Sequence, residues 1–189
     1  MKQKLNRWAA LVCGAVLVLA LLAGCSREAS PPDDPAGTLS SFTADTLAGG
    51  TFTQEDVQAK DVTIVNFWGT FCRPCIAEMP DLAAYAKALP ENVQLITVCL
   101  DGVGNLDSAR EILENAGYEG ITLLNGDGDF KSLCDSVQGV PTTAFFNSAA
   151  EQVGYIFLGA PADLAGAYTA AVNEVLRAEG KAEISVAVQ

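Results

Sequence analysis

The sequence predicts an α/β domain, with a mixed central sheet flanked by helices and an added N-terminal β-hairpin. Two stretches, VTIVNFW (62–68) and VQLITVCL (93–100), are runs of β-branched, aliphatic and aromatic residues, as in strands buried on both faces. Between them Ile76, Met79, Leu82, Ala83 and Ala86 recur at helical spacing. Along the chain the two kinds of segment follow in the order β-β-β-α-β-α-β-α-β-β-α, which implies a mixed sheet covered by helices.

The elements follow in order. SFTADTLAGGTFTQEDV (41–57) reads as two short strands around Ala48-Gly49-Gly50, a hairpin signal. After the strand at 62–68, a helix runs from Cys75 to about Leu89. The strand at 93–100 leads to a helix over 106–117, where Gly117 suits a C-terminal cap. A short strand near 121–124 and a helix near 130–137 follow. TTAFFN (142–147) and QVGYIFL (152–158) are strands joined by a hairpin over 148–151. Pro161 suits the first turn of a last helix reaching about Ala178. NGDGD (125–129) begins like a calcium loop, but Phe130 and Ser136 stand where such a loop needs glycine and glutamate. It reads as a turn and helix cap.

Composition narrows the chemistry. The chain of 189 residues fits one domain plus appendages, and half its residues are hydrophobic. A formal charge of −12 argues against nucleic acid as a partner. Histidine is absent, which removes Ser-His-Asp catalysis, histidine metal sites and axial haem histidine. Ile76 after Cys75 also rules out a C-x-x-C-H haem attachment. No metal or cofactor is expected.

Residues 1–24 read as a leader. Lys2, Lys4 and Arg7 precede an uncharged apolar run, Ala9 to Ala23, that is short for a membrane span. The run ends in Leu22-Ala23-Gly24-Cys25, which resembles the lipobox of bacterial lipoproteins. That resemblance implies cleavage before Cys25 and lipid on its thiol. An uncleaved anchor or ordinary signal peptide is the competing reading, and each places the domain outside the cytoplasm. Residues 25–38, rich in proline and aspartate, read as the lipidated cysteine and a flexible tether. The domain then spans 39–180, with a C-terminal tail over 181–189. Cys72, Cys75, Cys99 and Cys134 remain as thiols, in a compartment that permits disulfides.

Cys72 and Cys75 carry the chemistry. Zinc would need Cys99 and Cys134 as further ligands, and these are lone cysteines on separate elements. A structural disulfide across two residues removes little chain entropy. A redox pair fits better. The pair follows a buried strand and opens a helix, whose N–H groups and partial positive charge stabilise a thiolate on Cys72. Arg73 adds a full charge, and Pro74 loses nothing by lacking an N–H there. Cys75, deeper in the helix, is placed to resolve a mixed disulfide.

NFWGTFCRPCIAEMP (66–80) resembles the motif of the TlpA/ResA-type family, membrane-tethered thioredoxin-like thiol–disulfide oxidoreductases. The resemblance runs from about Ser41 to Ala178. It implies a thioredoxin-like fold and a redox-active Cys72–Cys75 pair. It also implies disulfide-bearing extracytoplasmic substrates and a membrane electron donor of the CcdA/DsbD kind. Pro80 falls where thioredoxins kink this helix. Gly139 to Thr143, GVPTT, resembles the loop whose cis proline faces the cysteines. Pro141 would be that proline, with Val140 pairing to substrate backbone.

The sequence departs from thioredoxin at two positions. Asn66 replaces a buried aspartate, and Phe71, not tryptophan, precedes the first cysteine, with Trp68 upstream. The family places a glutamate at position 78. Buried near the pair, Glu78 would exchange a proton with Cys75; the alternative is a favourable charge in the first helical turn. Trp68 and Phe71 read either as a recognition ledge or as packing. Cys99 and Cys134 are either core thiols or a second disulfide, since four cysteines allow three pairings. Two other functions compete. A Cu(I) chaperone would use the thiolates, but related chaperones have wider cysteine spacing and a histidine. A thiol peroxidase would have threonine where Gly69 stands.

Overall fold

The computed structural model describes residues 37–188; the leader, Cys25 and the tether as far as residue 36 lie outside them. The strands are β1 (Thr43–Thr46), β2 (Thr51–Thr53), β3 (Val62–Trp68), β4 (Val93–Cys99), β5 (Thr122–Gly126), β6 (Thr142–Asn147) and β7 (Gln152–Leu158). The helices are α1 (Gln54–Gln58), α2 (Arg73–Ala88), α3 (Leu106–Ala116), α4 (Gly128–Ser136) and α5 (Leu164–Ala178). The strands form one sheet in the order β2-β1-β5-β4-β3-β6-β7. β3, β4 and β5 are parallel, while β1, β2, β6 and β7 pair antiparallel. The expected mixed sheet with an N-terminal hairpin is present.

All seven residues of β3 are buried, which explains its unbroken apolar run. Alternation sends Val62, Ile64 and Trp68 to one face, where Met79, Leu82 and Tyr85 of α2 pack with Tyr168, Val172 and Leu176 of α5. Val65 and Phe67 go to the other, with Phe42, Phe52, Phe130 and Phe146. Each such side chain is worth about 1.5–3 kcal/mol relative to exposure. β3 is therefore the member least able to shift, and the site hangs from its end.

The structure corrects several details. β2 stops at Thr53 because Thr53 and Asp56 form a capping box, so Gln54–Gln58 turns helical where the sequence reading continued the strand. Pro161 lies outside α5, which starts at Leu164 because the Asp163 side chain caps it, accepting from Gly166 N at 2.9 Å. Asp127 precedes α4 but caps nothing with its side chain; Oδ1 accepts from Thr43 N at 2.7 Å. Asp129 similarly accepts from Ser40 N and Ser41 N. Between them Gly128, at φ +52°, lies where a Cβ would come within 2.2 Å of the Ser41 carbonyl oxygen. Past α5 the chain stays attached to it, since Asn173 bonds both backbone groups of Ile184. Gly117 does cap α3, at φ +70°. Among the described residues, no helix is long and apolar enough to cross a membrane.

The second disulfide is absent. Cys99 and Cys134 are both free. Cys99 points to the sheet face covered by α2 and α5, whereas Cys134 packs with the opposite cluster. The strand's alternation puts the sheet between them. Burial pushes both thiols up to about 12, helped by Asp101 at Cys99 and by Asp135 at Cys134. The full chain carrying serine at Cys13 and Cys25, oxidised and held in detergent, should therefore yield two titratable thiols on denaturation. It should react far more slowly when folded. A count of zero would restore the second disulfide.

Candidate redox site

The site begins where β3 runs out. Gly69, Thr70 and Phe71 turn the chain, and Cys72 N donates back to the Gly69 carbonyl at 3.0 Å. The turn is pinned from the side. Asp101, just past the end of neighbouring β4, accepts from Thr70 N at 2.9 Å and from the Thr70 hydroxyl. Asn105 Nδ2 donates to the same carboxylate and to the Asp101 carbonyl. Burial alone would raise the Asp101 carboxyl, but the Thr70 hydroxyl and N–H, with the Cys99 thiol, hold it below its usual range.

Cys72 is then the N-cap of α2. Its sulfur accepts from Cys75 N at 3.3 Å, the bond a serine or aspartate oxygen makes at other helix starts. Pro74 lies in the first turn, where its missing N–H costs nothing. The helix continues to Ala88 with Pro80, the position the resemblance marks for a kink, inside it. Cys72 and Cys75 form a disulfide, with Cα atoms 5.3 Å apart. Cys72 is 6% exposed and Cys75 wholly buried. Of the pair, Cys72 alone keeps some exposed surface.

The loop before β6 closes the site. Val140–Pro141 is a cis peptide bond, as the resemblance implied. The Val140 carbonyl oxygen lies 3.5 Å from Cys72 Sγ. Gly159 N donates to the Pro141 carbonyl at 2.8 Å, tying the loop to the end of β7. Phe71 is 72% exposed on the rim. Trp68, grouped with it as a ledge, is instead fully buried on the α2 side of β3 and can touch no partner directly. Alternation explains this, because Trp68 continues the face of Ile64 and Asn66.

A buried polar chain lies on the α2 side of β3. Glu78, one helical turn past Cys75, is 5% exposed. Asn66 Nδ2 donates to Glu78 Oε1 at 3.1 Å and to Thr143 Oγ1 at 3.0 Å. Thr143 Oγ1 and Tyr168 OH share a bond of 2.6 Å. Burial raises the Glu78 carboxyl, the Asn66 bond opposes that rise, and Asp81 adds to it. Burial also pushes Tyr168 up to about 12; the Thr143 bond opposes this, while the Glu78 charge adds to it. Sequence reasoning reached Asn66 and Glu78 but missed Asp101, Thr143 and Tyr168. Asp101 and Thr143 had a signal in their places, one at the carboxyl end of a parallel strand and the other beside the loop proline. Tyr168, on the last helix, had none. Cys25 lies outside the described residues.

Known proteins resemble this chain in different degrees. A "Thioredoxin-like protein" of Haemophilus influenzae is 26% identical over 129 residues, 68% of this chain and 72% of that protein. "Thiol-disulfide oxidoreductase ResA" of Oceanobacillus iheyensis is 44% identical over 48 residues, only 25% of this chain and 24% of the relative. A crystal structure of a thiol:disulfide interchange protein of the thioredoxin family from Chlorobium tepidum superposes with a TM-score of 0.60 at 20% identity. That match covers 74% of this chain and 99% of the other, and it establishes the thioredoxin-like fold. Residues 35–146, which contain the cysteine pair, Glu78 and the cis proline, match the AhpC/TSA family model, and the chain belongs to that family.

Proposed function

We propose that this chain is an extracytoplasmic thiol–disulfide oxidoreductase, lipid-anchored through Cys25, that reduces disulfides of envelope proteins. One observation carries the reading: the two sulfurs are unequal. Cys72 caps a helix at the rim beside cis-Pro141, and Cys75 is sealed in the same face of the core as an ionisable Glu78. An attacking sulfur needs access and a stabilised thiolate. A resolving sulfur needs proximity and a proton acceptor.

The steps follow from those places. The Cys72 thiolate attacks one sulfur of a substrate disulfide, and the other sulfur leaves as a thiolate. The new mixed disulfide joins Cys72 to the substrate, while Val140 and the exposed Phe71 line the docking rim. Glu78 takes the proton from the Cys75 thiol. The Cys75 thiolate attacks Cys72 Sγ, leaving the Cys72–Cys75 disulfide and expelling the second substrate thiolate; the proton held by Glu78 and one from solvent make the substrate a dithiol. Two electrons have passed to the substrate. A membrane dithiol donor of the CcdA/DsbD kind restores the pair. The two sulfurs carry the electrons, so the cycle needs no further cofactor.

Two experiments separate this from its rivals. Cys72→Ser should abolish reduction of a model disulfide, and Cys75→Ser should accumulate mixed disulfides visible on non-reducing gels. Full activity of Cys72→Ser would end the dithiol mechanism; peroxide consumption or tight Cu(I) binding without disulfide turnover would favour a peroxidase or a chaperone. The reduction potential of the pair decides direction. At or below about −250 mV it reduces, whereas near −120 mV it would donate disulfides.

Glu78 gives a test that joins function to stability. The fold favours its neutral form. Its contribution to stability is therefore complete below the ordinary carboxylate range and declines as pH rises through its raised value. Glu78→Gln should lose turnover by about 10²-fold. The same variant should resist urea better than the parent at neutral pH, an advantage that disappears in acid. Unchanged turnover would return Glu78 to a structural role.

A further inference from the structure

We propose that Asn66 is a positioning residue for the redox reaction, held in place by Thr143 and Tyr168, and that it governs how tightly Glu78 holds its proton. The inference rests on the dithiol reading above but uses different residues. Asn66 is fully buried, and both of its Nδ2 bonds go to acceptors, Glu78 Oε1 and Thr143 Oγ1. Its own Oδ1 has no partner, and neither does Glu78 Oε2. A buried orphan carbonyl is expensive, so satisfaction of the amide itself does not dictate its orientation. The neighbours do. Turning the amide over would set Oδ1 against an ionised carboxylate.

The hydroxyls make the arrangement reversible. With Glu78 ionised, Asn66 donates to both neighbours, and the Thr143 hydroxyl donates onward to Tyr168. With Glu78 protonated, a turned amide would accept from the acid and from Thr143, while Tyr168 donates to Thr143. The 2.6 Å Thr143–Tyr168 bond allows either direction of donation. The chain thus offers Glu78 Oε1 a hydrogen-bond partner of the right kind in both of its states, as a group that takes and returns one proton per cycle requires. The ionised state gains more, because its bond from Asn66 is charge-assisted.

The charged and titratable groups around Glu78 are few. Cys75 and Asp81 lie on its own helix and Tyr168 on α5, with Tyr85 against Tyr168; β3 and β6 present only Asn66 and Thr143. Asp81 raises the proton affinity of Glu78 and Asn66 lowers it.

The test is the carboxyl titration of Glu78, followed by carbon NMR on the oxidised full chain in detergent, beside the pH profile of disulfide reduction. Asn66→Leu should raise Glu78 proton affinity about tenfold, moving its midpoint up by about one pH unit. Thr143→Val should move it the same way by less, and Thr143→Ser, which keeps the hydroxyl, should restore the parent titration. Asn66→Leu combined with Thr143→Val should go no further than Asn66→Leu alone, because Thr143 acts through the amide. An unmoved midpoint in Asn66→Leu, or additive shifts in the pair, would overturn the proposal. If Asn66→Leu does not fold, equal midpoints for Thr143→Val and Thr143→Ser would overturn it. A parent without disulfide reductase activity would defeat the dithiol reading, yet leave the titration result standing.

Discussion

A single bond organises this molecule: the backbone N–H of Cys75 donating to the sulfur of Cys72. It makes a sulfur the cap of α2, so a free N–H and the positive end of that helix face the Cys72 sulfur. The geometry requires the chain to leave β3 and enter a helix within four residues. It also requires the end of β3 to stay still. Burial on both faces supplies the second condition, and Asp101 supplies the first by gripping Thr70 from the neighbouring strand end. The cis peptide at Pro141 completes the enclosure from β6, which pairs with the other edge of β3. Each wall of the site is thus an extension of the strand ladder.

Burial creates the site's tension. Cys75 and Glu78 lie in the same core face as Met79, Leu82 and Tyr85, where an ionised carboxylate is poorly solvated. One bond from Asn66 offsets part of that penalty, and Oε2 has no bond at all. Such a carboxylate is a poor choice for stability and a good one for accepting a proton from a buried thiol. The surrounding aromatic residues have the opposite role. Tyr85, Phe145 and Tyr168 meet edge to face, which fixes α5 against α2 and β6 and keeps water from the chain of hydroxyls.

Much of this was legible because it is local. VTIVNFW, TTAFFN and QVGYIFL ran within the same bounds as β3, β6 and β7, since their composition and bounding turns leave little freedom. Gly117 ended α3 by the expected left-handed turn. What was lost depended on where distant residues meet. Cys99 and Cys134 could be paired on paper because linear sequence does not reveal sheet faces, and the sheet separates them. Trp68 joined Phe71 in the reading because only two residues part them; the strand ends between them, so one is core and the other rim. The capping box Thr53–Asp56 was readable yet overlooked, because the hairpin pattern ran across it.

The substitution at position 66 has a physical reason that neither residue shows alone. Asn66 occupies the place of a buried aspartate in thioredoxin, and the structure puts its amide 3.1 Å from the Glu78 carboxylate. Two carboxylates at that distance could not both ionise; they would share one proton and titrate as a pair. A chain that carries its acid on the helix therefore needs a neutral residue on the strand, and that residue must donate. Asparagine meets both needs. Leucine would be neutral but silent, and aspartate would compete for the proton. The acid's place on α2 also puts Glu78 on the same helix as Cys75, with Cys72 as that helix's cap, so the three side chains shift together if α2 shifts. The strand contributes only the partner that reads the acid's charge.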